Sequence, residues 1–495
     1  MIRHHVPDRY QRAITGLAVA AFVMGCFVFG VLSVRQTTQG IVLTGALFCL
    51  VVYLIKPEAM VWFTLFAAFA ALPEGLNVGK VVGPATIWVY QVTAVLAICF
   101  LAVSVRPRFS DFVLPGIFTL TVAYSTVAGF AAGHADIVIW REALTVFEMA
   151  IGFVFGLLVV YGNHVKSAMW ALIAVLWFSA GMAIASSIGI LQLAGRAESL
   201  EGTTGAAGAV RFILATQTPA TAVLSALVAG SVIGRIRPSM YFTLGLPTLV
   251  ISLLSFSRNT LIAMAVAALV ALLGSLSWAA VRRLLKTFGY ALAFLAVALP
   301  GLMLLLQRTR AGIWLGDQLT AFSGRVLAGI SSDALAVDES AQTRVRELNH
   351  LKELIPETPW FGHGLGYTYR EPSGDDEFGA IFQPAYSENF YMWWLAKAGA
   401  VGMAAFALLV LVPLTLALRS ASAPAKIGAA VITSLLAVSI VWPLPEQPHD
   451  SFAIGIAVGA TMGFARLRRG NDARNDAGPA ASPPAARFDG KALTA

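Results

Sequence analysis

Apolar stretches long enough to cross a lipid bilayer recur from one end of this 495-residue chain to the other. Each stretch of about 18 or more apolar residues predicts a spanning helix, because lipid offers the backbone no hydrogen-bond partner but itself. The pattern predicts about fourteen spans, of which the second and third are short. Their approximate ranges are 14–34, 40–55, 59–73, 84–104, 112–132, 142–161, 167–194, 217–234, 238–256, 259–278, 287–306, 388–418, 427–443 and 451–466.

The charge content supports this prediction. Apolar residues make up 58% of the chain and charged residues only 12%, whereas soluble domains carry roughly 25% charged residues. So few charges could not cover the surface of a chain of this length in water. We therefore predict an all-α polytopic membrane protein with about 12–14 transmembrane helices and one large external loop that contains an amphipathic helix.

The placement of lysine and arginine predicts the orientation, because cytoplasmic loops carry an excess of both. The segments before the first span and after the last are basic, and alternate loops between them are basic as well. If the number of spans is even, the two terminal segments and the basic loops all lie on one side of the membrane. That side is predicted to be the cytoplasm, so both termini are predicted there. The net charge of +8 is then explained by the basic cytoplasmic loops. It does not indicate nucleic-acid binding, because no basic patch forms outside the short loops.

These patterns divide the chain into four segments. The N-terminal transmembrane helices occupy residues 1–306, and a large periplasmic or extracellular loop occupies 307–387. The C-terminal transmembrane helices occupy 388–466. The remaining residues, 467–495, are rich in Ala, Pro, Asp and Gly and have no apolar period, which predicts a disordered cytoplasmic tail.

Two external loops, 194–218 and 307–387, are longer than connectors need to be. A long ordered loop in a compact protein usually has a function. The larger one predicts an amphipathic helix over 339–355, which two prolines end. A turn that we interpret as flexible follows, formed by Gly362, Gly364 and Gly366.

The predicted helix places two nearby arginines differently. At 100° per residue, Arg344 lies in the middle of an apolar face and Arg346 lies on the opposite, solvated face. The apolar face consists of Val345, Leu348, Leu351 and Ile355. A buried guanidinium without an anion is costly, so Arg344 requires either a salt bridge within the protein or the phosphate of a ligand.

Two more arginines lie at the external surface. Arg258 stands in a tight turn between two spans, beside the partly positive N-terminus of the next helix. This position fits an anion site, and it equally fits an arginine that extends towards lipid headgroups. Arg211 lies in the shorter of the two long loops.

Glu388 stands where the large loop re-enters the bilayer. A carboxylate there can be a favourable first-turn charge of the helix, or a general base whose pKa partial burial raises. Glu148 and Lys397 fall inside predicted spans, where charges are costly, and we predict that they are structural and could pair with each other.

The large loop and the helix after it resemble the O-antigen ligase family, which includes O-antigen ligases and related polysaccharide polymerases. The family pattern is an arginine, a short helix, and then Pro with a Gly-x-Gly-x-Gly-like turn, which matches Arg344 and the residues 359–366. A His-Asn pair, an aromatic and two glycines spaced by three follow in the family. Here the matching residues are Asn389, Tyr391, Leu395, Gly399 and Gly402.

The Ser257-Arg258 turn is similar too, and Arg211 stands at the place of a further family arginine. The family histidine falls on Glu388, so the acceptor is not carried over from the lipopolysaccharide ligases.

The resemblance implies a GT-C-like enzyme on the outer face of the bacterial inner (plasma) membrane. Its reaction would be transfer of a glycan from a polyprenyl-diphosphate donor to a hydroxyl of a glycan or glycolipid acceptor, among membrane lipids. Arg258, Arg344 and Arg211 would bind the donor diphosphate, and Glu388 would take the acceptor proton in place of the histidine. Asn389 and Tyr391 would have supporting roles. Ligase and polymerase differ only in the acceptor.

We expect no cofactor and no metal. The first external loop is short and has no Asp-x-Asp, which argues against a metal-dependent polyprenyl-phosphate transferase. The three cysteines, Cys26, Cys49 and Cys99, lie in predicted spans without metal-ligand spacing.

Two alternatives remain open from the sequence. A polysaccharide transporter or flippase would carry internal repeats and mid-membrane charges, and no clear repeat is visible. A cell-wall polymerase of the shape and division class would need an acid in its large loop, where Asp375 and Asp376 stand.

Overall fold

The computed structural model describes residues 56–476, except 75, 77–78, 83–84, 195, 200–209, 235, 307, 328–338 and 373–377. The helices are α1 (Pro57–Phe69), α2 (Val89–Val105), α3 (Val113–Ala131), α4 (Asp136–Tyr161), α5 (Val165–Ser187), α6 (Gln217–Ile233), α7 (Pro238–Ser255), α8 (Asn259–Ser275), α9 (Trp278–Leu306), α10 (Arg310–Phe322), α11 (Glu339–Leu354), α12 (Phe390–Arg419), α13 (Ala423–Val438) and α14 (Pro448–Asp476). Two antiparallel hairpins lie in loops between helices and pair β1 (Gly79–Val82) with β2 (Ala85–Trp88), and β3 (Arg196–Ser199) with β4 (Val210–Ile213).

The fold is that of an all-α multi-pass membrane protein. Five helices in the described part of the chain are long and apolar enough to cross a membrane: α3, α4, α5, α7 and α12. Shorter apolar helices accompany them. Each predicted span from 59–73 onward overlaps a helix, whereas the predicted spans 14–34 and 40–55 lie outside the described residues. The last helix continues to Asp476, into the segment predicted as a disordered tail.

A close pair of helices, α4 and α14, forms the centre of the bundle. Glycines spaced by four on each helix face the other backbone. A Cβ on Gly152 would lie 2.3 Å from the carbonyl oxygen of Phe452, and one on Gly459 would lie 1.9 Å from that of Phe153. Small residues at this spacing let two membrane helices approach closely, which is how packing holds them together where lipid is as apolar as the side chains.

The large loop packs on this bundle through apolar residues. Leu351 of α11 and Leu365 and Tyr369 beyond it are buried in the same core as Phe390 and Trp394 of α12. Because burial of such side chains is worth roughly 1.5–3 kcal/mol each, these contacts fix the loop against the outer end of the helices. Arg344 and Glu347 on α11 and Arg370 beyond it therefore have definite positions relative to α12.

The glycine turn after α11 is held in place by backbone contacts, so the prediction of a flexible turn was wrong. The amide of Gly364 donates to the carbonyl of Lys397, and the amide of Leu365 donates to that of Ser125. Gly364 has a φ of 87°, and a Cβ there would lie 2.5 Å from the amide nitrogen of Gly129. Glycine is needed here because no side chain fits between the two backbones.

The charged residues inside the spans do not pair as the sequence suggested. Lys397 forms an ion pair with Glu142 of α4, while Glu148 accepts hydrogen bonds from Tyr90 and Gln91 of α2. Both residues have partners within the bundle, and the predicted pair between Glu148 and Lys397 was wrong. Glu142 also accepts from the amide of Gly366 at 2.7 Å, so this carboxylate links α4, α12 and the glycine turn.

Candidate active site

The amphipathic helix predicted in the large loop is confirmed as α11. Its inward face differs from the prediction by part of a turn. Leu351 is buried and Arg346 is exposed, as predicted, but Val345 is 59% exposed. The residue buried in its place is Glu347, which is 8% exposed. The inward face therefore carries both an arginine, Arg344, and a carboxylate.

Glu388 lies directly in front of this face. It precedes α12, whose N-terminus is capped by the side chain of Asn389 accepting from the amide of Met392 at 3.2 Å. The Glu388 amide donates to Oε1 of Glu347 at 3.2 Å, and its Oε2 lies 3.6 Å from Nη2 of Arg344. The anion that Arg344 requires is thus Glu388 in this structure.

Opposing influences set the protonation of Glu388. Burial raises its pKa above the ordinary value, and the positive charge of Arg344 opposes that rise. The negative charge of Glu347 raises the pKa further, while the charges of Arg370 and Arg211 lower it. A carboxylate with a raised pKa is a stronger base, and the surrounding cations keep part of it ionised.

Arg370 was missed by sequence reasoning. Its Nε donates to the carbonyl of Gln383 at 2.8 Å and its Nη2 to that of Tyr386 at 2.6 Å. Nη1 lies 3.8 Å from Oε2 of Glu347. Arg370 therefore fixes the chain that leads into Glu388, and the sequence held no periodic signal for it because it lies in irregular backbone.

Arg211 is brought to the same side of the molecule by the β3–β4 hairpin. Its Nε donates to the carbonyl of Ser255 at 3.1 Å, and its guanidinium lies 5.9 Å from the ring centroid of Trp442. Ser255 ends α7, and Phe256 then adopts a left-handed backbone with φ 46° that turns the chain into α8. The hydrogen bond thus joins the shorter loop to the turn that carries Arg258.

Arg258 occupies the N-cap position of α8, and its carbonyl accepts from the amide of Leu261 at 3.1 Å. Its Nε donates to the carbonyl of Arg325 at 3.0 Å, which ties the turn to the segment after α10. The structure places Arg344 and Arg211 within electrostatic range of Glu388. Arg258 lies three residues after Ser255, whose carbonyl accepts the bond from Arg211.

The supporting residues have structural contacts. Asn389 caps α12, and the Tyr391 hydroxyl donates to the carbonyl of Leu436 of α13 at 2.7 Å. Both contacts fix the outer end of α12 and with it Glu388. Asp375 and Asp376 lie outside the described residues.

Within the described ranges, no group of three or more His, Cys, Asp or Glu side chains could hold a metal ion. The site contains carboxylates and guanidinium groups where the large loop meets a bundle of membrane helices. These features define a multi-pass membrane protein whose large loop brings Arg344 and Glu388 together.

Residues 242–407 match the family model described as O-Antigen ligase. Arg258, Arg344 and Glu388 lie within the match, whereas Arg211 and the helices α4 and α14 lie outside it. The match suggests glycan transfer from a polyprenyl-linked donor in the assembly of surface polysaccharide. No curated protein matches the chain.

Proposed function

We propose that this protein is a glycosyltransferase that moves a glycan from a polyprenyl-diphosphate donor to an acceptor hydroxyl, as a ligase or a polymerase. The observation that carries the proposal is the contact between Arg344 and Glu388. It places a cation suited to a phosphate and a carboxylate suited to a proton side by side, within the residues that match the O-antigen ligase model. Transfer of a glycan from a diphosphate requires both groups.

The reaction follows from these two roles. An acceptor hydroxyl oxygen attacks the anomeric carbon of the donor, and the bond from that carbon to the phosphate oxygen breaks. The lipid diphosphate leaves with the electron pair, and Glu388 takes the proton of the hydroxyl. Arg344, Arg211 and Arg258 bind the diphosphate, each through charge-assisted hydrogen bonds of roughly 1.5–3 kcal/mol. Such cations can neutralise the leaving group without a metal.

The enzyme is proposed to act on the external face of the bacterial inner membrane with both termini in the cytoplasm. The alternating basic loops support this orientation. Reporter fusions placed after Arg469 and within residues 333–338 test it, and we expect the first to report cytoplasm and the second the external side. Finding both fusions on one side would show that the orientation is wrong.

Two measurements test the reaction. Deletion of the gene should cause one polyprenyl-diphosphate glycan to accumulate, because its consumer is missing. The purified protein should then release lipid diphosphate from that glycan, and Glu388→Gln should not. If no lipid-linked glycan accumulates and the purified wild-type protein leaves such glycans intact, the chain is not this transferase.

A further inference from the structure

The glycine turn after α11 fills a break in α12. Gly399 interrupts this helix with a φ of 63°, so the carbonyls of Ala396 and Lys397 are not met by the amides of the next helical turn. They accept instead from the glycine turn, from the amide of His363 at 2.9 Å and from that of Gly364 at 3.0 Å. The glycine turn therefore replaces two hydrogen bonds of the helix.

The two helical amides that the break releases are bonded as well. The amides of Ala400 and Val401 donate to the carbonyls of Pro359 and Trp360, at 2.8 Å and 3.1 Å. Residues 359–365, which we call the inserted turn, thus exchange four hydrogen bonds with α12. Lipid offers no partner to irregular backbone, so such bonds within the protein are what allow a turn to lie at membrane depth.

The inserted turn lies below the ends of the helices beside it. Ala396 is six residues into α12, and Ser125, whose carbonyl accepts from the amide of Leu365 at 2.9 Å, is six residues before the end of α3. At about 1.5 Å per residue, both depths are about 9 Å. The 19 residues of α3 extend about 28 Å, close to the thickness of the hydrocarbon core of a bilayer. A spanning α3 therefore carries the inserted turn below the surface of the bilayer.

Two large apolar side chains of the inserted turn are exposed. Trp360 is 68% exposed and Phe361 is 52% exposed, and the Phe361 ring centroid lies 5.4 Å from that of Tyr124 on α3. Tyr124 shares one face of α3 with Leu120 and Val127, which are 71% and 66% exposed. An exposed apolar face of a spanning helix contacts lipid, and the side chains of the inserted turn extend this face without a break.

We propose that the inserted turn is a re-entrant membrane element and that Trp360 and Phe361 contact lipid acyl chains in the leaflet on the side of the large loop. In the proposed orientation this is the outer leaflet. Acyl chains fit as the partner because residues 359–365 contain no Asp, Glu, Lys or Arg and continue the exposed face of α3. The inference concerns how the large loop meets the membrane and does not depend on the transfer reaction.

The inserted turn also connects the bilayer to α11. Nε2 of His363 lies 3.4 Å from the carbonyl oxygen of Leu354, the last residue of α11, and the His363 ring stacks on that of Tyr367. The helix that carries Arg344 is therefore attached at its end to an element within the membrane. This attachment would hold α11 close to the bilayer surface, which is where the diphosphate of a lipid-anchored donor lies.

The depth of a spin label at position 360 tests the proposal. Trp360→Cys, Leu120→Cys and Arg346→Cys are made in the full chain with the native cysteines replaced by serine. Each is labelled with a nitroxide and reconstituted in vesicles of phosphatidylethanolamine and phosphatidylglycerol. Leu120 is the matched lipid-facing control, and Arg346, exposed on α11, is the matched water-facing control. Relaxation by oxygen, which concentrates among acyl chains, is compared with relaxation by a water-soluble nickel chelate.

The oxygen-to-nickel ratio at Trp360→Cys should match that at Leu120→Cys and exceed that at Arg346→Cys severalfold. A ratio at Trp360→Cys equal to that at Arg346→Cys would place the inserted turn in water and overturn the proposal.

A second measurement decides if the cysteine variants do not fold. Trp360→Phe keeps an aromatic ring at an exposed position, so the fluorescence that this variant lacks relative to the wild type comes from Trp360. In vesicles whose lipids are brominated on their acyl chains, that difference should be quenched, whereas iodide in the buffer should leave it unchanged. Quenching by iodide and not by brominated lipid would show that Trp360 faces water and that the inserted turn is not a membrane element.

Discussion

The guanidinium of Arg344 and the carboxylate of Glu388 lie 3.6 Å apart, although 43 residues of irregular chain and helix separate them in sequence. On the proposed reaction, a donor diphosphate competes with Glu388 for Arg344. Once the diphosphate has taken Arg344, Glu388 loses the cation that lowers its pKa, and it becomes a stronger base. Binding of the donor would thereby prepare the group that takes the acceptor proton.

Substitution of Glu388 by glutamine should abolish most transfer without loss of folding. Glutamine has nearly the same shape but cannot take a proton, and removal of a general base typically costs about 10²–10⁴ in rate. Glu388→His should retain some activity with a different pH profile, since imidazole titrates near about 6.5. The measurement is turnover of the lipid-linked glycan by purified variants across pH. Wild-type turnover in Glu388→Gln would leave Glu388 as a helix-terminus charge only.

Arg344 and Arg346 form a matched pair of substitutions on one helix. Arg344→Ala should abolish transfer, because Arg344 faces Glu388 and the proposed diphosphate. Arg346→Ala should be mild, because Arg346 is exposed on the opposite side of α11. Turnover is compared at equal expression, with size-exclusion profiles to verify folding. Equal losses in the two variants would contradict the orientation of α11.

The pH dependence of kcat/KM should shift in opposite directions in two variants. Glu388 must be ionised to act, so activity should fall as pH drops through its raised pKa. Glu347→Gln removes a negative neighbour that raises this pKa, so the acid limb should move to lower pH. Arg344→Gln removes a cation that lowers it, so the limb of any residual activity should move to higher pH. Shifts of the same sign would exclude Glu388 as the titrating group.

Transfer should continue at full rate in a metal chelator. The first external loop has no Asp-x-Asp, and guanidinium groups can take the place of a metal at the diphosphate. The assay is turnover by purified protein with and without EDTA, followed by readdition of magnesium or manganese. Activity that disappears with chelator and returns with either ion would indicate a metal-dependent transferase.

The sequence was most informative where a feature is periodic. Apolar stretches predicted the helices from 59–73 onward, and the 3.6-residue period predicted α11 and the opposite environments of Arg344 and Arg346. The period did not predict which residues of α11 face the bundle, because the rotation of α11 about its axis depends on how Leu351 and Leu365 pack. Val345 was therefore misplaced, and Glu347 was missed.

Contacts between distant segments left no local pattern to detect. Arg370 lies in irregular backbone and Glu446 ends a short 3₁₀ helix, and only the folded chain brings them to the segment before α12. The partner of Lys397 illustrates the same limit. Glu142 and Glu148 both lie on α4, and the sequence offered no means to choose between them, since the choice depends on the register of α4 against α12.

Gly399 should be the glycine of α12 least tolerant of a side chain. Its φ of 63° and ψ of −167° interrupt the helix, and a Cβ there would lie 2.3 Å from the carbonyl carbon of Trp360. Gly399→Ala should therefore lower the free energy of unfolding by about 1–3 kcal/mol from backbone strain, with a further loss from the clash. Gly116→Ala in α3 is the control, because a Cβ there meets no atom within 4 Å. Thermal unfolding in detergent is the measurement. We expect a lower melting temperature for Gly399→Ala alone, and equal melting temperatures would mean that the turn after α11 does not depend on this interruption.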